Sequence, residues 1–306
     1  MKSFAIVGAG AVGSYYGGRL EAAGHDVRFL LRSDYEVVKR KGLTVESIDG
    51  DFQIPKVVCA KTSEEIGLVD VVVVAWKATS NHLSEEVIRP LLHDHTAILT
   101  LQNGLGNIEV LSDLFGVERV LGAMCFVCIN RIEAGLIRHT GGGMIAMGEA
   151  KLGVTDRLRG LSKIFEEANV FCEVAENFVE AQWRKLVWNI PFNGLCITEG
   201  GVDTGRLLAQ PNGESRVREL MLEVSQAASG LGMKIEREFV EFQIERTFPM
   251  KDYRPSSMID FVNGDPVEVD AIWSEPLRRA RAAGVETPRL AELEAAIREV
   301  VAARDE

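Results

Sequence analysis

The residues that most constrain this chain come first: Phe4-Ala5-Ile6-Val7, then Gly8-Ala9-Gly10-Ala11-Val12-Gly13, then a helical pattern through Tyr15, Tyr16 and Leu20. An uninterrupted apolar run of this length reads as a strand buried on both faces of a parallel sheet. Gly-x-Gly-x-x-Gly between such a strand and a helix is the order that a dinucleotide-binding turn requires. Gly8 permits the tight turn, Gly10 lacks the Cβ that would hold backbone away from a pyrophosphate, and Gly13 lets helix and strand pack closely. Ala9, Ala11 and Val12 complete the turn, whose free N–H groups face the phosphates with the helix dipole behind them. Glycine spacing alone is a weak signal, since Gly serves any tight turn. Its place between strand and helix makes it a strong one.

A chain of 306 residues has room for two domains, each with its own core. The net charge of −11 argues against a nucleic-acid partner, while leaving room for a local basic pocket that takes a small anion. Cys59, Cys125, Cys128, Cys172 and Cys196 are odd in number and scattered through apolar segments, as reduced core thiols are. Cys125 and Cys128 have redox or metal spacing, but no second Cys or His pair accompanies them, so no metal site is expected. The N-terminal apolar run passes straight into the glycine turn, unlike a signal peptide, and the longest apolar run, Val71 to Trp76, is too short to cross a bilayer. A cytoplasmic enzyme without a membrane partner is the expected class.

A second strand, Val27 to Leu31, runs into Arg32-Ser33. NAD sites place Asp or Glu about 20 residues beyond the glycine turn to hold the ribose hydroxyls. Here Arg32 offers a planar fork for a 2′-phosphate and Ser33 a hydroxyl donor, so NADP(H) is the expected cofactor. Asp34, one or two residues late, is the residue that would rescue NAD. Leu43 to Ile48 and Phe52 to Ala60 read as short β segments around a Gly50-Asp51 turn. Val69 to Trp76 is a buried strand followed by Lys77, which is placed to meet a cofactor phosphate or ribose because ligands sit beyond the carboxyl ends of parallel strands. An exposed strand-end lysine is the plainer alternative. After a helix through Leu83 to Leu92, the strand Thr96 to Leu101 ends in Gln102-Asn103-Gly104. Asn103 falls where the nicotinamide end should lie, although Asn before Gly is also an ordinary turn former. Strands at Val120 to Ile129, Leu136 to Thr140 and Met144 to Met147, with Gly141-Gly142-Gly143 as a hairpin turn, would extend the sheet in antiparallel fashion. A helix over Asp156 to Ala168 and a strand over Val170 to Val174 close this half.

From Asn177 the alternation stops and helical patterns dominate through Arg304, dividing the chain into 1–177 and 178–306. Helices are expected at Phe178 to Cys196, Ser215 to Leu231, Glu236 to Thr247, Pro266 to Ala283 and Pro288 to Ala303. Asp265-Pro266 and Thr287-Pro288 look like N-caps followed by a first-turn proline, and Gly284 like a helix stop. Lys185, Asn189 and Asn193 recur every four residues, drifting about 40° per step, and so share one face among apolar Leu186, Val187, Ile190 and Phe192. Burying a lysine and two amides is costly unless they have partners, which interhelical bonds or a ligand could supply. Pro191 inside this stripe predicts a kink and a freed Val187 carbonyl.

Taken together, these motifs resemble the ketopantoate reductases (2-dehydropantoate 2-reductases), in element order over nearly the whole chain. That family joins an α/β domain, a Rossmann-type doubly wound sheet, to an all-α C-terminal domain. Its Asn-Gly turn after a central strand matches Asn103-Gly104, and its Lys-x-x-x-Asn-x-x-x-Asn helix matches Lys185, Asn189 and Asn193. Its Ser before Met matches Ser257-Met258, and its Glu-x-Asp matches Glu268-Val269-Asp270. The resemblance implies NADPH-dependent reduction of a 2-oxo acid, ketopantoate to pantoate in pantothenate biosynthesis. It assigns Lys185 as the catalytic lysine and proton donor, Glu268 as the substrate-binding glutamate paired with it, and Asn103, Asn189, Asn193 and Ser257 as substrate contacts. Arg32 and Lys77 match its adenosine-phosphate contacts.

Some positions depart from the family pattern. Ser80 stands where some members carry Gln, Gly194 follows Asn193 where Pro is common, and Pro191 and Glu275-Pro276 are unusual in their helices. Because these changes fall on the substrate side, a second reading keeps the chemistry and changes the 2-oxo acid. A third, a nucleotide-responsive binding protein without turnover, is opposed by the presence of Lys185 together with Glu268. An apolar face on the last helices would suit a homodimer.

Overall fold

The apolar runs of the first half form one sheet in the computed structural model, which describes residues 1–151 and 153–305. Its strands are β1 (Ser3–Val7), β2 (Asp26–Leu30), β3 (Leu43–Ser47), β4 (Phe52–Ile54), β5 (Val58–Ala60), β6 (Val69–Val74), β7 (Leu92–Thr100), β8 (Val120–Glu133), β9 (Leu136–Glu149) and β10 (Cys172–Val174). They lie in the order β4-β3-β9-β8-β7-β6-β1-β2-β5, with β10 added beside β9. The run from β5 to β8 is parallel throughout, the doubly wound arrangement. The antiparallel pair β8–β9 then extends it. Contacts divide the chain into two units, Met1–Asn103 with Asn107–Phe178, and Gly104–Gly106 with Val179–Glu306.

Register sets where the first unit presents its loops. Val7 pairs with Leu30 and with Val74, and Val74 pairs with Thr100. The segments after β1, β2, β6 and β7 therefore leave from one carboxyl edge, on both sides of the switch in strand order at β1. The helix Ala11–Ala22 is buried on nearly every side from Gly13 to Leu20, because more than the sheet covers it. Tyr16 donates to Gly143 O of β9 at 3.3 Å, and Arg19 donates to Ser47 Oγ of β3 at 3.3 Å while lying over the Phe52 ring of β4. A helix enclosed this way needs apolar or small residues all round rather than one stripe.

Two β assignments change in the structure. Phe52 to Ala60 is two strands, since Pro55 cannot donate to a ladder: β4 pairs back on β3, and β5 joins the far edge beside β2. Gly141, Gly142 and Gly143 are not a hairpin turn but lie inside β9. The ladder slips between Phe126 and Val127, and Gly142, at φ +70°, approaches Phe126 O so closely that a Cβ would sit 2.1 Å from it. The reversal falls instead at Ala134-Gly135.

In the second unit the long helix Phe178–Thr198 supplies Trp183, Val187, Ile190, Phe192 and Cys196 to a core shared with Val217, Met221 and Val224 of Gly213–Gly230, with Trp273, and with Leu290 and Ile297 of Pro288–Asp305. Each such side chain contributes about 1.5–3 kcal/mol by leaving water. Pro288–Asp305 is capped from another helix. Glu223 accepts from the Arg289 and Leu290 N–H groups at 3.1 and 3.0 Å, while the Thr287 hydroxyl makes no hydrogen bond. A carboxylate at a helix N-terminus gains from the dipole as well as from the bonds, which a threonine hydroxyl does not. Asp265-Pro266 does not begin a helix either. Asp265 N bonds back to Asp260 O, closing Ser256–Asn263, and helical structure resumes only after Glu268. Among the described residues no helix is long and apolar enough to cross a membrane.

Candidate active site

At the end of β1, Gly8 has φ +92°, and a Cβ there would lie 2.2 Å from Trp76 N, so only glycine lets the turn pass this close to the segment after β6. Gly13 meets Gly8 O and Ile6 in the same way. Gly10 is different. It is the N-cap of Ala11–Ala22, no side chain caps it, and nothing lies within 4 Å of the position its Cβ would take. The Ala9 carbonyl accepts from Ser14 Oγ and the Gly10 carbonyl from Ser14 N, both at 3.0 Å, which fixes the turn against the helix. Two glycines are thus demanded by packing and the third faces open space at a helix N-terminus, the shape of a phosphate cradle. Ser14, which anchors it, carries no sequence signal beyond its place in the motif.

Beyond β2, Arg32 is exposed and Asp34 is not: its side chain is 11% accessible. Asp34 Oδ1 accepts from Ser33 Oγ at 2.8 Å, and its two oxygens accept from Arg131 Nη1 at 2.8 and 2.9 Å. Lys77 is half-buried at the N-cap of the 3₁₀ turn Ala78–Leu83, just past β6.

Asn103 sits at the end of a chain of amides that spacing does not reveal. Gln102 Oε1 accepts from Thr100 Oγ1, and Gln102 Nε2 donates to Asn81 Oδ1 at 2.7 Å. Asn81 Nδ2 donates to Asn107 Oδ1 at 2.7 Å, and Asn107 Nδ2 donates to Asn103 O at 2.8 Å. Asn107 is buried, so each amide here has its partner in a place where an orphan would be costly. Asn107→Leu leaves Asn81 Nδ2 and Asn103 O without it. A loss of about 2 kcal/mol is expected, read as a lower urea midpoint; an unchanged midpoint would show that the chain holds nothing in place.

In the second unit the polar stripe of Phe178–Thr198 divides in use. Lys185 and Asn189 are half-buried, and among the described residues no hydrogen bond engages the Asn189 carboxamide. Asn193, 1% exposed, is tied at both ends: Nδ2 donates to Asn189 O at 3.0 Å, and Oδ1 accepts from Ser257 N at 2.8 Å, in the first turn of Ser256–Asn263. Pro191 does not end the helix, which continues to Thr198. Gly194 has a core explanation, since a Cβ there would lie 2.7 Å from Leu293 and 3.0 Å from Trp273 Nε1, and that indole donates to Ile190 O.

Glu268 is only 7% exposed, unlike an ordinary helical carboxylate. After Val269 comes a π-helical turn, Asp270–Ser274, leading into Glu275–Ala282. Pro276 accounts for it: an α-helix would need its N–H for Ile272 O, and widening the preceding turn avoids that clash. The loop Gly104–Gly106 is fastened to this turn. Leu105 N donates to Ala271 O at 2.8 Å, and Gly104 O accepts from Gln182 Nε2 at 3.1 Å. Within the second unit this loop is thus held by Gln182 of the helix Phe178–Thr198 and by the π turn. Among the described residues no group of three or more His, Cys, Asp or Glu side chains is arranged to hold a metal ion.

Comparison with known proteins shows the family of the chain. The family profile described as ketopantoate reductase PanE/ApbA matches residues 4–151, and its C-terminal counterpart matches residues 177–301. The chain is 40% identical over 294 residues to a 2-dehydropantoate 2-reductase of Nostoc sp., covering 94% of this chain and 92% of that one. It superposes on the crystal structure of a 2-dehydropantoate 2-reductase from Geobacter metallireducens GS-15 with TM-score 0.95 at 43% identity, covering 97% and 99% of the two chains. A D-mandelate dehydrogenase in ternary complex with NADH and anilino(oxo)acetate shares the fold at 21% identity, with TM-score 0.90 over 99% of each chain.

Proposed function

The chain belongs to the ketopantoate reductase family, an oxidoreductase family, and on that premise we propose that it reduces ketopantoate to pantoate with NADPH. The observation that carries the reading is the open cradle over Gly10, set at a helix N-terminus on the carboxyl edge of the sheet. In it Gly8, Ala9, Gly10, Ala11, Val12 and Gly13 hold the pyrophosphate, Arg32 the 2′-phosphate, and Lys77 the adenosine side. Bound there, reduced nicotinamide supplies a hydride to C2 of the 2-oxo acid.

The rest falls to side chains. As the carbonyl oxygen gains charge, the Lys185 ammonium stabilises it and gives it a proton, leaving a neutral amine that solvent reprotonates. Asn103 and Asn189 offer oriented amides without adding charge. Glu268 accepts a hydrogen bond from a substrate hydroxyl and favours the charged form of Lys185. Asn193, tied to Asn189 O and Ser257 N, acts by holding Ser257 toward the substrate.

The test follows nicotinamide absorbance with NADPH and a panel of 2-oxo acids. Turnover of ketopantoate well above its relatives supports the proposal, and preference for another acid moves the substrate. Tight NADPH binding with no turnover on any acid sinks the catalytic reading. A D-mandelate dehydrogenase of the same fold holds NADH, so the fold alone does not choose between NADH and NADPH. Arg32→Ala is expected to weaken NADPH by about tenfold or more, the scale of one charge-assisted phosphate contact, with NADH little changed. Equal losses for both would remove Arg32 from the phosphate.

A further inference from the structure

Asp34 stands close after β2, where NAD-binding folds use a carboxylate to hold ribose hydroxyls. A bare carboxylate there serves NADH and repels the phosphate of NADPH, by like charge at short range. In this chain the carboxylate is present but occupied. Ser33 Oγ donates to one oxygen and Arg131 Nη1 reaches both, in a place where Asp34 is largely shielded from water. Arg131 does not come from the nucleotide-binding strands. It stands near the far end of β8, in the antiparallel extension, and is itself 47% exposed.

We propose that Arg131 is a specificity-determining residue for the cofactor. By holding and neutralising Asp34 it turns an acidic, NAD-type position into one that tolerates a 2′-phosphate, leaving Arg32 to bind it. The proposal rests on the NADPH reading above. It extends that reading to an ion pair that no glycine motif or strand-end rule contains, formed by residues 97 positions apart. Both partners matter for different reasons: Asp34 is the group that would discriminate against NADPH, and Arg131 is the group that prevents it.

The experiment measures dissociation constants of NADPH and NADH for the full chain by fluorescence titration, in wild type, Arg131→Met, Asp34→Asn and the double variant. Arg131→Met should reduce the preference for NADPH by roughly tenfold or more, the scale of a single short-range ionic interaction. Asp34→Asn should keep or raise the preference, because the repelling carboxylate is gone and Arg131 is released. The double variant should return to the preference of Asp34→Asn, which a merely structural role for Arg131 would not produce. An unchanged ratio in Arg131→Met overturns the proposal, as does a double variant that keeps the loss, since Arg131 would then meet the phosphate itself. Should Arg131→Met fail to fold, a fall in NADPH preference in Asp34→Asn overturns it equally. A wild type that binds both cofactors alike overturns the NADPH reading itself, and is told apart by needing no variant.

Discussion

Lys185→Ala is expected to lower kcat by about a thousandfold, within the range for removing a general acid that also stabilises an oxyanion, while NADPH binding stays within about threefold. The substitution isolates chemistry because of how the helix Phe178–Thr198 is packed. Trp183, Leu186, Val187 and Ile190 face the core of the second unit, and Lys185 is half-buried. Removing its side chain therefore hollows no core, and alanine has higher helix propensity than lysine. Purified variant and wild type would be compared at saturating NADPH and 2-oxo acid, with NADPH affinity measured separately by fluorescence. A kcat within tenfold of wild type, with the fold intact, would mean that the proton comes from elsewhere and that the stripe is structural.

How much of this was legible in the sequence depends on how local each feature is. Gly8, Gly10 and Gly13 could be read because their work is done within one strand, turn and helix, and the structure finds two packed and one facing open space. The stripe of Lys185, Asn189 and Asn193 could be seen from helix geometry alone. That Asn193 is tied to the first turn of another helix could not, since Ser257 is 64 residues away. The run Gly141 to Gly143 misleads for the same reason: locally it reads as a turn, and only its pairing opposite Val127 and Cys128 makes it part of a strand. The amides Asn81, Gln102 and Asn107 form no periodic pattern. Their chain exists because β6 and β7 end side by side. Glu223 capping the last helix and Arg131 holding Asp34 are likewise products of tertiary packing, invisible to any window of sequence.

The second large effect is expected at Gly104, which contacts no ligand in the proposed mechanism. Its φ is +80°, and a Cβ would lie 2.3 Å from Ala271 O and 2.5 Å from Ala271 C, which are backbone atoms that cannot rotate away. The same carbonyl receives Leu105 N, and Leu105 is itself buried in the core of the second unit. Gly104→Ala must therefore either strain a left-handed residue against a carbonyl or lift the loop off the π turn, losing the Leu105 and Gln182 bonds. Together these predict a destabilisation of about 3 kcal/mol or more, seen as a lower urea midpoint. Activity should fall as well, by roughly a hundredfold, because Asn103 is joined directly to Gly104 and a displacement of about 1 Å at a reacting group has that cost. Gly106→Ala provides the comparison. Its φ is also positive, at +89°, but the nearest atom to its Cβ position is a Glu275 side-chain carbon at 3.6 Å. That variant carries only the left-handed penalty of about 1–2 kcal/mol. If the two alanines prove equally stable and equally active, the contact with Ala271 is not what holds Asn103 in place, and the loop is set by its own turn geometry.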